Sequence, residues 1–149
     1  MGYILRSELP SKYFGGGDDT ALNDIILYCN HFDVDPRLSP TEIKSSGANW
    51  GDWIYPGYCP SSSPATGFAM QMEFPHSGDD TAANDIRLLC SNFKMAFSPV
   101  HTHWGYWLSQ VTCPENTVVT GLMTRVEAKT GDDTALNGLR LQCSQAPNL

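Results

Sequence analysis

Three pairs of adjacent carboxylates, Asp18-Asp19, Asp79-Asp80 and Asp132-Asp133, have the most obvious capacity for chemistry; each follows a glycine and precedes a threonine. Carboxylates this close can share acid–base work or offer hard oxygen ligands to calcium. A catalytic pair, however, needs two unlike environments, one of which raises a pKa. These pairs sit in near-identical contexts: GDDTALNDIILYC (Gly17–Cys29), GDDTAANDIRLLC (Gly78–Cys90) and GDDTALNGLRLQC (Gly131–Cys143). Like contexts favour a turn in which Asp, Thr and then Asn23, Asn84 and Asn137 satisfy backbone N–H groups. The segment therefore reads as a turn and its following strand, used three times, with calcium at the Asp pairs as the alternative.

A second set of candidates recurs with the same period. Glu8, Glu73 and Glu127 close GYILRSE (Gly2–Glu8), GFAMQME (Gly67–Glu73) and GLMTRVE (Gly121–Glu127). On an alternating strand they fall opposite the apolar face. There a carboxylate can hydrogen-bond a sugar, act as a glycosidase acid, or pair across the sheet with Arg87 or Arg140. All four tryptophans, Trp50, Trp53, Trp104 and Trp107, fall in two Trp-Gly-x-Trp motifs. Indole faces stack on sugar rings, but they also fill core where sheets meet; one Trp of each pair is expected buried and the other half-exposed. His101 and His103 form His-x-His without an evident third ligand, and read as loop. No Gly-x-Ser-x-Gly, P-loop or dinucleotide fingerprint occurs, so neither a serine nucleophile nor a cofactor is expected.

The elements that must position these residues are strands. Period-two alternation puts Ile86, Leu88 and Cys90 on one face and Arg87 and Leu89 on the other, and it groups Phe68, Met70 and Met72 against Gln71 and Glu73. Aligned on the Asp pairs, the copies share Trp-Gly-x-Trp, then Cys-Pro, then Gly, then Glu. The chain divides into an incomplete first repeat (1–29), a connector (30–49), a second repeat (50–90), a connector (91–103), a third repeat (104–143) and a tail (144–149), all in one domain. Each connector has room for a strand. The shared cysteine positions predict bridges Cys59–Cys90 and Cys113–Cys143, and leave Cys29 unpaired within this chain. Positionally equivalent cysteines in a loop-rich chain suggest an oxidising compartment.

With 9 basic against 16 acidic residues and a net charge of −7, a nucleic-acid partner is not expected. No apolar run approaches the roughly 18–20 residues of a membrane span.

Trp-Gly-x-Trp, Cys-Pro, Gly-Phe-x-x-x-x-Glu and Gly-Asp-Asp-Thr-Ala-x-Asn-x-Ile-x-x-x-Cys together resemble the vitelline membrane outer layer protein family, over nearly the whole chain. The resemblance implies an all-β fold, a β-prism of three Greek-key sheets about a pseudo-threefold axis. It also implies a secreted, structural component of an egg envelope or mucosal fluid. Its implied partners are N-acetylglucosamine-type oligosaccharides or extracellular-matrix glycoproteins; from the residues themselves, no metal or cofactor is expected. Two alternatives stand beside that function: a carbohydrate-active enzyme (a chito-oligosaccharide transferase or hydrolase) using Asp and Glu, and a recognition module of a larger chain. The first copy begins in mid-repeat. The first sheet is therefore expected to lack a strand and show an unpaired edge, and the chain to be part of a longer protein, with Cys29 as the marker.

Overall fold

The computed structural model describes residues 1–8, 20–30, 35, 37–75, 81–99, 102, 104–127 and 136–146. The six aspartates of the Asp-Asp pairs and His101 and His103 lie outside the described residues. Every regular element among the described residues is a β-strand, and the strands form three antiparallel sheets.

Each sheet is built on one long hairpin, in which the Gly-to-Glu segment pairs with the segment that ends in cysteine. In sheet A, β1 (Gly2–Ser7) pairs with β2 (Leu22–Cys29); in sheet B, β6 (Ala65–Met72) pairs with β7 (Ala83–Cys90); in sheet C, β11 (Thr117–Val126) pairs with β12 (Leu136–Gln145). The register is the same three times: Gly2 lies opposite Tyr28, Gly67 opposite Leu89, and Gly121 opposite Gln142. Even the irregularity recurs. The pairing skips Asn23, Asn84 and Asn137, so each asparagine of the repeated segment is the extra residue of a β-bulge.

The connectors each supply a third strand, β3 (Thr41–Lys44) beside β2 and β8 (Met95–Ala96) beside β7. The fourth position is filled across the repeat boundary. The Trp-Gly-x-Trp and Cys-Pro stretches form short strands β4 (Asp52–Trp53), β5 (Gly57–Tyr58), β9 (Tyr106–Trp107) and β10 (Val111–Thr112). β4 and β5 pair with β1 of the preceding repeat, and β9 and β10 with β6. Three consecutive strands with a fourth returning beside the first make a Greek key, seen in sheets A and B. Three such hairpins in pseudo-threefold relation give a β-prism.

The exchange changes which sheet is incomplete. Sheet A, expected to lack a strand, receives β4 and β5 from the second repeat. Among the described residues it is sheet C that consists of β11 and β12 alone. The expectation failed because it assigned each Trp-Gly-x-Trp strand to the sheet of its own repeat.

The same exchange makes the disulfides inter-sheet staples. Cys59, just past β5 on sheet A, bonds Cys90 in sheet B, and Cys113, just past β10 on sheet B, bonds Cys143 in sheet C, with separations of 31 and 30 residues. Inward-facing side chains of all three sheets share one core. Tyr3, Leu5, Ile25 and Leu27 come from A, Phe68, Met70, Ile86 and Leu88 from B, and Val119 and Leu136 from C.

Candidate functional site

The carboxylates that recur at the ends of the first hairpin strands are engaged in the turn. Glu8 accepts from Thr20 Oγ1 at 2.6 Å, and Thr20 in turn accepts from Asn23 Nδ2 at 2.8 Å. The second copy repeats this: Thr81 Oγ1 donates to Glu73 Oε2 at 2.8 Å and accepts from Asn84 Nδ2 at 2.6 Å. In the third, Asn137 Nδ2 is 3.5 Å from Glu127 Oε2. In the first two copies the carboxylate thus accepts from a threonine that is itself bonded by the bulge asparagine. The turn places Ala21 and Ala82 at φ of 47° and 51°, and the backbone N–H groups of Glu8 and Glu73 donate to their carbonyls at 2.8 and 2.7 Å. Glu8 and Glu73 are half-buried and Glu127 is exposed.

The tryptophans take a different place. Trp50 and Trp104 are half-buried, whereas Trp53 and Trp107 are each 39% exposed, on the outward side of sheets A and B. Neither motif is core. Their glycines explain the local path: Gly51 and Gly105 have φ of +72° and +78°, which lets the backbone cross tightly over the ends of β1 and β6. The strand then runs back along its neighbour, with Ile54 N donating to Leu5 O and Leu108 N to Met70 O, both at 2.9 Å. Each exposed indole is thereby fixed at the same point of its sheet, Trp53 opposite Arg6 and Trp107 opposite Gln71.

Each indole carries a cation. Arg87 lies over Trp107 at 4.2 Å from the ring centre, while Lys44 and Arg6 lie 5.2 and 5.9 Å from that of Trp53. Beneath each cation is a buried carboxylate. Lys44 Nζ is 2.7 Å from Asp24 Oδ2, and Arg87 Nε is 3.4 Å from Asp85 Oδ2. Asp24 also accepts from the Ile25 N–H at 2.8 Å. Gln71 and Arg6, at equivalent positions, both donate to the carbonyl of the motif glycine, at 3.5 Å to Gly105 and 2.9 Å to Gly51. Sheet C carries Gly138 where the others carry Asp24 and Asp85, so this arrangement occurs twice.

Asp24, Asp85, Arg87, Lys44 and Arg6 were not singled out as site residues from the sequence. A signal existed in the Asn-Asp step of the first two copies, since an aspartate inside an otherwise apolar strand demands a partner. The arrangement offers a partly open aromatic face beside fixed donors, which suits stacking against a neutral ring. Among the described residues no group of three or more His, Cys, Asp or Glu is placed to hold a metal ion.

Comparison with known proteins agrees with the architecture. The family model described as vitelline membrane outer layer protein I matches residues 1–146. A vitelline membrane outer layer protein 1 homolog of Mus musculus is 36% identical over 128 residues, 78% of this chain and 62% of the mouse protein. A homolog of the same name from Homo sapiens is 38% identical over 117 residues, 70% of this chain and 56% of the human protein. The chain thus spans less than two thirds of the length of either relative. On the family match across nearly its entire length, this chain belongs to the vitelline membrane outer layer protein I family.

Proposed function

We propose that this protein is a secreted structural component of an extracellular coat, an egg envelope or mucosal fluid, that associates with glycans of the N-acetylglucosamine type. The observation that carries the reading is the pair of pseudo-equivalent indoles, Trp53 and Trp107, each 39% exposed and each braced by a cation paired with a buried carboxylate. Neutral sugars present little charge, so stacking and hydrogen bonds must supply the affinity. Two equivalent sites on one rigid body gain by multivalency on a polymeric glycan while each stays weak alone. Inter-sheet disulfides suit a protein that works outside the cell. Glu8, Glu73 and Glu127, just past the ends of β1, β6 and β11, remain candidates for sugar contacts, one on each sheet, and Trp50 and Trp104 precede the exposed pair in the two motifs. Partner glycoproteins of a matrix would be recognised through the same sugars.

Titration with N-acetylglucosamine hexamer, followed by tryptophan fluorescence, tests the proposal. Saturable quenching that weakens in Trp53→Ala and Trp107→Ala and persists in EDTA is expected. An unchanged spectrum at millimolar sugar would refute it. Loss of binding in EDTA would transfer the site to calcium at the Asp pairs, and oligosaccharide products of altered length by mass spectrometry would replace binding with glycosyl transfer or hydrolysis.

A further inference from the structure

The outward face of sheet A carries more than the Trp53 indole. Gly2, Ile4 and Arg6 alternate along β1 with the buried Tyr3, Leu5 and Ser7, so they point away from the core. Their partners on β2 are Tyr28, Ile26 and Asp24, and on the other side Tyr58 lies opposite Gly2 and Trp53 opposite Arg6. We infer, on the basis of the glycan reading proposed above, that this face is an extended platform for a linear chain of neutral pyranose rings. Trp53 holds the chain at one end and the Tyr28–Tyr58 pair holds it at the other.

The second subsite is built around a glycine. Gly2 lies between Tyr28 and Tyr58, and a Cβ there would collide with the Tyr58 ring. With that ring above it, Gly2 is buried although it faces outward. The two tyrosine rings have their centres 6.4 Å apart and their planes 19° from parallel, and both side chains stay half-buried. Burial, with Glu42 and Tyr58 nearby, pushes the Tyr28 phenol pKa up, so its hydroxyl stays neutral and can both donate and accept. Such a pair suits a sugar, whose C–H face stacks on the rings while its hydroxyls find partners.

Between the two subsites lies an aliphatic floor. Ile4 and Ile26 face each other across β1 and β2, both half-buried on a face where polar side chains ordinarily stand. The Gly2 and Arg6 rows are four residues apart along β1. At about 3.3 Å per residue the platform is about 13 Å long, so its ends reach units two or three apart in a chain of linked pyranoses. A disaccharide can occupy either end but cannot bridge them. The charges on this face balance: Arg6 and Lys44 stand with Asp24 and Glu42, and Lys44 is 2.7 Å from Asp24. A polyanion or polycation gains little from such a surface, and a neutral ligand is its match.

Sheet B carries the indole without the platform. Opposite Gly67 stand Leu89 and Thr112, where sheet A has Tyr28 and Tyr58. Ala69 and Arg87 take the places of Ile4 and Ile26, and Arg87 lies over Trp107. The two sites are therefore alike at the indole and unlike beyond it.

Two variants isolate the sheets: Trp107→Ala leaves the sheet A site alone, and Trp53→Ala leaves that of sheet B. Each is titrated by NMR with the N-acetylglucosamine dimer and hexamer. On sheet B the two affinities should differ only by the statistical gain of a longer chain. On sheet A the hexamer should gain roughly a further tenfold, with the ring signals of Tyr28 and Tyr58 moving as it binds. Tyr28→Leu combined with Tyr58→Thr installs the residues that sheet B itself uses. It should erase the hexamer's advantage and spare dimer binding at Trp53, whereas Tyr58→Phe keeps the ring and the advantage. An equal advantage on both sheets, or one that survives the double substitution, would overturn the inference and leave the glycan reading standing. Tyr28 and Tyr58 signals unmoved by hexamer in Trp107→Ala would do the same, whatever the stability of the double variant. Sugar binding at neither indole would overturn both.

Discussion

The Tyr3 phenol in β1 donates to the carbonyl oxygen of Ile86 in β7 at 2.7 Å, joining sheet A to sheet B across 83 residues of sequence. Ala96 O in β8 lies 3.2 Å from the same hydroxyl. Its pseudo-equivalents Phe68 and Leu122 have no hydroxyl, so the bond breaks the threefold symmetry. Burial pushes the phenol pKa well above the ordinary tyrosine range, and the nearby Asp85 carboxylate adds to the rise.

A pH dependence follows from that shift. Below about pH 10 the phenol is neutral whether the chain is folded or unfolded; above it the unfolded chain ionises first. The contribution of Tyr3 is therefore complete below the unfolded pKa and is lost as pH rises towards the folded one. Tyr3→Phe should cost about 1 kcal/mol near neutrality, from the lost hydrogen bonds. That deficit should shrink in urea melts taken between about pH 9 and 11. A deficit that stays constant or widens with pH would refute the assignment.

The two staples should differ in reducibility. Cys59 and Cys90 are 2% and 1% exposed, whereas Cys113 and Cys143 are only partly buried at the thinner sheet C. Thiol–disulfide exchange needs access to a sulfur, so mild dithiothreitol under native conditions should open Cys113–Cys143 first. Differential alkylation and peptide mapping read the order. In the chain-entropy model each closed loop is worth about 3–4 kcal/mol, so losing the exposed staple alone should lower the melting temperature without unfolding sheets A and B.

Much of this architecture is legible in the sequence, and the illegible part has one cause. The three hairpins follow from local alternation, and Ile86, Leu88 and Cys90 face inward as the pattern requires. The disulfides follow from repeated cysteine positions. What alternation cannot show is which hairpin a short edge strand joins. Trp53 lies opposite Arg6 of the preceding repeat, a pairing carried by backbone hydrogen bonds and the turn at Gly51, with no hydrophobic pattern to announce it. From that one long-range step come the inter-sheet staples, the exposed indoles and, among the described residues, a two-stranded sheet C beside a five-stranded sheet A. The Glu8–Thr20 and Glu73–Thr81 contacts were hidden for a related reason: a bulge shifts the register just where alternation would place the glutamate.

The repeated glutamate can be probed through its threonine. Thr81 bonds Glu73 and Asn84 at once, beneath a turn whose Ala82 has positive φ. Thr81→Val keeps the side-chain shape but removes the hydroxyl. It should cost about 1–3 kcal/mol, because buried Asn84 loses the nearer of two acceptors, keeping only the Ala82 carbonyl at 3.4 Å, and Glu73 loses a donor. Glu73→Gln should cost less, since an amide oxygen can still accept from Thr81. Chemical denaturation of both variants checks the order. If Glu73→Gln instead leaves stability unchanged but weakens hexamer binding, the carboxylate's main work is in the site.

The cation beneath Trp53 gives the sharpest mutational signature. Asp24 is 1% exposed and is paired with Lys44, whose ammonium also lies 5.2 Å from the Trp53 ring centre. Removing one member of a buried pair leaves an uncompensated charge, which generally costs more than the pair contributes. Lys44 is itself half-exposed, so water can reach the site and the loss in Lys44→Met should be about 2 kcal/mol rather than the full penalty of a sealed pair. Adding Asp24→Asn should restore most of it: the side-chain oxygen can still accept from the Ile25 N–H while the charge disappears. Arg87 and Asp85 in sheet B act as an internal control and should keep Trp107 unperturbed in every variant. Urea melts of the single and double variants measure the coupling. If the double variant is no more stable than Lys44→Met, the cation stabilises sheet A through the indole face and not through the carboxylate.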